Sequence, residues 1–178
     1  SDNSSSDNSS SDDTLENTLL KNFTISDLDL SYNNISMKSL FKALERNNAL
    51  TKLNISHKDL DIEEGKALAN TLEINNTLTH LYLSETINDS ETGKIFVEAL
   101  GKNKKLSELD LSNNCFNLEV AIALTKALEI NESLRNIDLR NSERETKNEL
   151  KKWAKYKIFI RHKPGTHSRR ALNYMTAT

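Results

Sequence analysis

The sequence predicts an α/β fold, a short curved solenoid of about five repeats with a parallel sheet on its concave side and helices on its convex side. Three observations predict it. Segments of the form L-x-x-L-x-L begin at Ile25, Leu50, Leu78, Leu106 and Leu134, so that successive starts lie 25, 28, 28 and 28 residues apart. Between these segments, apolar residues recur at helical steps of three and four. The linking segments NNAL, NNTL, NKKL and NESL are near-copies of one helix-to-strand turn.

Each L-x-x-L-x-L segment predicts one short strand. Its last four residues alternate polar and apolar side chains, which is the period of a strand with one buried face. We expect the buried strand positions to form a continuous core: Leu28, Leu30, Leu53, Ile55, Leu81, Leu83, Leu109, Leu111, Ile137 and Leu139. The polar side chains between them then point away from that core.

A helix is predicted after each strand. In the first repeat Met37, Leu40, Phe41 and Leu44 recur at helical steps, and this repeat is three residues shorter than the others, so its helix should be shorter too. Polar residues that favour helix N-caps stand before or at the predicted starts. These candidate N-caps are Ser36, Asp61, Ser90 and Asn117.

The two ends of the chain differ in charge and in predicted order. Residues 1–22 carry five acidic residues and one basic residue, whereas residues 141–178 carry ten basic residues and three acidic ones. Residues 1–13 are rich in serine and aspartate and have too little apolar surface to fold, so we expect a disordered acidic tail. We assign residues 14–22 to an N-terminal capping segment, 23–141 to the repeats, 142–163 to a C-terminal capping helix and 164–178 to a basic flexible tail.

The repeat segments resemble the leucine-rich repeats of the ribonuclease-inhibitor type. EEGKALANTLEINNTLTHLYLS and TGKIFVEALGKNKKLSELDLSNN are similar to that family's G-x-x-x-x-x-x-A/T-L…N-x-x-L-x-x-L-x-L signature. Asn33 and Asn114 match the family's asparagine after the strand, while Lys58, Thr86 and Ser142 replace it. The resemblance implies a non-enzymatic protein-binding module, such as an adaptor or inhibitor. The resemblance is also compatible with a bacterial effector that acts inside a host cell.

Function is predicted on the concave face. Its rigid open sheet suits docking to another protein, and aromatic and charged side chains are typical of interface anchors. The candidate contact residues are the outward strand positions and the residues just after them: Asp27, Asp29, Tyr32, Lys52, Asn54, His57, His80, Tyr82, Glu85, Glu108, Asp110, Asn136, Asp138 and Arg140. A solvated polar face without a partner is the alternative interpretation of the same pattern.

Catalytic, metal and cofactor sites are not predicted. We expect neither His57 nor His80 to face a partner acid in an obvious dyad, although Glu85 or Asp110 could approach His80. The single cysteine, Cys115, excludes an internal disulfide framework and a multi-cysteine metal site. No glycine-rich phosphate loop occurs in the sequence. The prediction is therefore a protein that is not an enzyme and needs no cofactor.

The basic C-terminal segment supplies the alternative function. Its cations are interleaved with Trp153, Tyr156 and Phe159 and could contact nucleic acid or an anionic membrane. The same cations fit the outer face of a capping helix, so we favour another protein as the partner. We expect a monomer in the cytoplasm, or in the host-cell cytosol if the chain is an effector.

Overall fold

The computed structural model describes residues 9–141 and 159–161. In chain order this part forms the following elements: α1 Ser9–Lys21, β1 Asp27–Asp29, α2 Lys38–Leu44, β2 Lys52–Asn54, α3 Ile62–Ile74, β3 His80–Tyr82, α4 Ser90–Lys102, β4 Glu108–Asp110, α5 Leu118–Ile130, β5 Asn136–Asp138 and β6 Phe159–Arg161. The alternation of strand and helix confirms the predicted α/β fold. As predicted, α2 is short, with 7 residues against 13 in α3.

All six described strands form one parallel sheet in the order β1-β2-β3-β4-β5-β6. Equivalent positions of successive repeats are in register, so that Leu28 pairs with Leu53, Leu53 with Leu81, Leu81 with Leu109 and Leu109 with Ile137. A parallel pair needs a crossover connection, and here each described crossover is a helix. Because the register is kept, side chains at one repeat position form straight rows across the sheet.

The core follows the predicted strand positions. Eight of the ten predicted core residues are at most 1% exposed, and the remaining two, Leu28 and Leu30, are half-buried. Both lie at β1, the edge of the sheet, where no earlier strand covers them. Helix α1 packs against α2, and Leu19 of α1 is buried. Helical residues therefore cover the first repeat.

The predicted boundaries need two corrections. Helix α1 begins at Ser9, so residues 9–13 of the predicted disordered tail are helical. At the other end the predicted capping helix is wrong at Phe159–Arg161, which form β6 and pair with β5. Aromatic and β-branched residues favour a strand there. Residues 1–8, 142–158 and the predicted tail 164–178 lie outside the described residues.

The helix N-caps are confirmed for two of the four candidates. The Asp61 side chain accepts from the backbone N–H of Glu64, and the Asn117 side chain accepts from that of Val120. For α4 the cap is Asp89 instead, one residue before Ser90. Ser36 is not the cap of α2, which begins after Met37; the Met37 N–H donates to Oε1 of Glu64, a residue of the next repeat.

Acid should weaken the fold partly through Asp61. Its hydrogen bond from the Glu64 N–H holds the pKa of Asp61 below its ordinary value of 3.8. A lowered folded-state pKa contributes stability above the unfolded-state pKa, and that contribution is lost as pH falls through the folded-state pKa. We expect Asp61→Asn, which still caps but does not titrate, to lose less stability on acidification than the parent chain.

The check on this prediction is urea unfolding at neutral and acid pH. Asp61→Ala is the control, because it should lose about 1 kcal/mol of stability at neutral pH as the cap disappears. If the parent chain and Asp61→Asn lose the same stability on acidification, Asp61 is not the group responsible.

A ladder of four buried asparagines joins the helices to the strands. Asn47, Asn75, Asn103 and Asn131 each stand first in one of the repeated linking segments. Each amide nitrogen donates to a backbone carbonyl of the preceding turn of the solenoid, as Asn75 does to Leu44 at 2.6 Å. Each amide oxygen accepts from the backbone N–H groups two and three residues later. We call these four residues the asparagine ladder.

The resemblance predicts an asparagine that closes the turn after the strand. This role is confirmed for Asn114, and the prediction is wrong for Asn33. Asn114 is buried, donates to the Leu83 carbonyl and accepts from the N–H groups of Thr86 and Ile87. Asn33 is exposed and its side chain donates only to the nearby Ser31 carbonyl among the described residues. The Thr86 hydroxyl replaces an asparagine donor in its repeat, because it is buried and donates to the Ile55 carbonyl.

Candidate functional site

The concave face presents two straight rows of strand side chains. The first row is Asp27, Lys52, His80, Glu108 and Asn136, and the second row is Asp29, Asn54, Tyr82, Asp110 and Asp138. Neighbours within a row are register partners on adjacent strands. The structure therefore brings ten of the fourteen predicted contact residues together on one face of the sheet.

Four of the five second-row residues also hold the turn that follows their strand. In each, a side-chain oxygen accepts from the backbone N–H two residues later, over 2.8 to 3.1 Å. These residues are Asp29, Asn54, Asp110 and Asp138. A short carboxylate or amide side chain makes such a turn, whereas an aromatic side chain has no acceptor at that distance. In these four repeats the second-row side chain therefore stabilises the turn after its strand.

Tyr82 departs from this pattern at the centre of the five predicted strands. In its repeat the Ser84 N–H donates instead to the Ser56 hydroxyl of the previous repeat, at 3.2 Å. The Tyr82 hydroxyl donates to Oε1 of Glu108 at 3.4 Å. Burial raises the pKa of Tyr82, and the charge of Glu108 raises it further. The half-buried phenol therefore stays neutral and able to donate.

Both concave histidines face a carboxylate. His80 Nε2 lies 3.9 Å from Glu108 Oε2, and His57 Nδ1 lies 3.1 Å from Glu85 Oε2. The prediction that neither histidine faces a partner acid is wrong. Each pair is 28 residues apart, one repeat length, so the parallel register sets the two side chains next to each other. The repeat spacing itself was the signal that identifies these pairs.

A third row of side chains lies just beyond the strand ends. Each of its residues has a positive φ, between 52° and 61°, and the row consists of Tyr32, His57, Glu85, Asn113 and Asn141. The Tyr32 ring stacks on His57 with centroids 4.0 Å apart, and Asn141 donates to Asn113 at 2.6 Å. We call it the left-handed row. A non-glycine residue in this conformation carries strain of about 1 kcal/mol, which asparagine tolerates best.

Asp138 and Arg140 form an ion pair with each other at the end of β5. Arg140 Nε donates to Asp138 Oδ1 at 3.0 Å, and its Nη2 lies 2.9 Å from Oδ2. Asp138 is only 8% exposed. This forked ion pair leaves Asp138 little surface for a partner, while Arg140 is half-buried. In the first row Lys52 lies 3.7 Å from Asp27 in a more exposed pair.

The described residues contain no group of three or more histidine, cysteine, aspartate or glutamate side chains that could hold a metal ion. None of the described helices is long and apolar enough to cross a membrane. Cys115 is exposed. Most of the basic C-terminal segment lies outside the described residues, so nucleic-acid or membrane binding there stays a prediction.

The convex side carries a groove that the sequence analysis missed. It is an open groove between α4 and α5 with a volume of about 570 Å³, and it is lined mainly by apolar surface, including Ile122 and Ile130. At the positions 28 residues earlier α4 carries Lys94 and Lys102. An alignment of the repeats therefore shows the signal for this groove, because α5 has two isoleucines at the positions where α4 has two lysines.

Two solved structures have the same fold as this chain. A structure titled leiomodin-1 actin-binding site 2 superposes with a TM-score of 0.64 at 18% identity, over 84% of this chain and 88% of that one. A tropomodulin C-terminal domain from Caenorhabditis elegans gives 0.66 at 16% identity, over 79% and 89%. The chain shares their leucine-rich-repeat-like fold. No family model matches the chain, and no curated protein does.

Proposed function

We propose that this chain is a non-enzymatic module that binds another protein through its concave face. The observation that carries the proposal is the alignment of two rows of charged, polar and aromatic side chains on one rigid sheet, with Tyr82 at its centre. Aromatic anchors surrounded by polar groups are the composition of binding hot spots.

Actin is the first partner to test. One structural neighbour is titled an actin-binding site, and the similarity of fold alone makes actin a candidate for this chain. An adaptor or inhibitor in the cytoplasm fits the proposal. A ribonuclease-inhibitor-like effector that acts in a host cell fits it equally. We propose a monomer, since a single concave face is sufficient for one partner.

The test is a binding comparison between the parent chain and a concave variant. The variant combines His80→Ala, Tyr82→Asn and Asp110→Asn. Asparagine is chosen because Asn54 already holds the second-row turn in its repeat. The matched control combines Lys66→Ala, Asn70→Ala and Glu98→Ala on the exposed convex side of α3 and α4. Circular dichroism should show the same folded signal for all three chains.

We expect purified monomeric actin, or a protein captured from lysate and then purified, to bind the parent chain and the convex control alike. Loss of a central hot spot weakens binding by about 2 kcal/mol or more, so the concave variant should bind at least about thirtyfold more weakly. Equal binding by all three chains would show that the concave face is not the site.

A further inference from the structure

The centre of the concave face breaks the rule that the rest of the second row obeys. Asp29, Asn54, Asp110 and Asp138 each accept a hydrogen bond that closes their own turn. Tyr82 gives up that bond, although asparagine or aspartate at this position would keep it. A position where a sequence departs from a local structural rule is a candidate for function.

The carboxylates around Tyr82 lack a lysine or arginine partner among the described residues. Glu108 is approached by His80 and the Tyr82 hydroxyl, and no lysine or arginine of the described part forms an ion pair with Glu108 or Asp110. On the convex side, in contrast, Glu63 pairs with Lys66 and Glu73 with Lys102, each at 2.8 Å. The charges of Glu108, Asp27 and Asp110 all act on the Tyr82 phenol, which places it in a negative field.

The site around Tyr82 therefore combines an aromatic ring with two carboxylates, Glu108 and Asp110, that no lysine or arginine of the described part pairs with. Both features favour a ligand that is positively charged and rich in N–H donors.

We infer that Tyr82, Glu108 and Asp110 form the anchor site for an arginine or lysine side chain of a basic segment in the protein partner. The cation would lie against the Tyr82 ring and the two carboxylates, and a guanidinium would donate N–H groups in the forked geometry that suits a carboxylate. This inference rests on the proposed function, since it specifies the chemistry of the partner that the concave face binds.

The test uses a short fluorescein-labelled peptide of alternating arginine and glycine as the probe. Its matched control replaces each arginine by citrulline, which has nearly the same shape but no charge. Fluorescence anisotropy should show that the parent chain binds the arginine peptide at least about tenfold more tightly than the citrulline peptide, because charge-assisted hydrogen bonds are roughly twice as strong as neutral ones. Tyr82→Asn and Glu108→Gln should each weaken binding of the arginine peptide about tenfold.

Glu73→Gln is the matched control variant, since it makes the same chemical change at a convex glutamate that is paired with Lys102. It should bind the arginine peptide as the parent chain does. Equal affinity for the two peptides overturns the inference. An equal loss in Glu73→Gln and Glu108→Gln also overturns it, because the attraction would then follow net charge and not the site.

The result is separable from the proposed function. Suppose that the concave variant no longer binds a partner, whereas Glu108→Gln still binds it and the arginine peptide does not displace it. This result would overturn the basic-segment inference and leave the concave face as the binding site. A partner that the concave variant binds as well as the parent chain would overturn the proposed function itself.

Discussion

Asn103→Ala is expected to lower the free energy of unfolding by about 3 kcal/mol, since one substitution leaves several buried backbone groups without partners. The Asn103 side chain is 4% exposed. Its amide nitrogen donates to the Leu72 carbonyl at 2.7 Å, and its oxygen accepts from the N–H groups of Lys105 and Leu106 at 3.0 and 2.7 Å. Alanine supplies none of these hydrogen bonds.

Urea unfolding followed by circular dichroism measures this loss. Asn76→Ala is the matched control, because Asn76 adjoins the asparagine ladder but is exposed and, within the described part of the chain, donates only to the Ile74 carbonyl. It should change stability by less than about 0.5 kcal/mol. Asn103→Asp should be destabilising as well, since it keeps the acceptor but removes the donor and buries a charge. If Asn103→Ala and Asn76→Ala cost the same small amount, the ladder is not what holds the repeats.

The second large effect is expected where α3 meets α4. A Cβ added at Gly65 would lie 2.5 Å from Cγ2 of Thr92, a residue that is fully buried. Alanine gains up to about 1 kcal/mol over glycine in a helix, but overpacking of this kind costs about 1 to 3 kcal/mol. We therefore expect Gly65→Ala to destabilise the chain by about 1 kcal/mol and Gly65→Leu by more.

A double-mutant cycle tests the cause of this destabilisation. Thr92→Ala removes the clashing methyl group, together with a buried hydroxyl oxygen that has no hydrogen-bond partner among the described residues. Gly65→Ala should cost at least about 1 kcal/mol less in the Thr92→Ala background than in the parent chain, a non-additive result expected of residues in contact. Additive effects in the cycle would mean that Gly65 is required for another reason. Thermal unfolding of the four chains gives the answer.

Much of the fold is predictable because its interactions are local or periodic. The alternation around Leu81 and Leu109 indicates strands, and the cap at Asp61 depends on Glu64 only three residues later. The pairs His57–Glu85 and His80–Glu108 were not predicted, although the 28-residue repeat contains the information. Each residue looks isolated in the sequence, and only the register of a parallel sheet makes residues one repeat apart into neighbours.

The candidate site was predicted in place but not in detail. The concave positions follow from strand alternation, so all ten strand residues of the two rows lie where the sequence predicts them. Their individual roles do not follow. Asp138 is buried against Arg140, Asp110 closes a turn, and Tyr82 departs from the row it belongs to. These differences depend on hydrogen bonds with a neighbouring repeat or within the turn, which no alternation pattern encodes.

By itself the sequence determined the repeat length, the order of strands and helices, the identity of the core leucines and the polar character of the concave face. Those features arise from hydrophobic periodicity and from contacts within a few residues. The tertiary structure alone decided which polar residues hold the repeats together, with Asn103 and its equivalents inside and Asn33 outside. It also decided that Tyr32, His57 and Glu85 take a left-handed backbone and that residues 159–161 extend the sheet. The physical reason is that these outcomes depend on stacking between repeats, where the neighbouring repeat, about 28 residues away, supplies the partner.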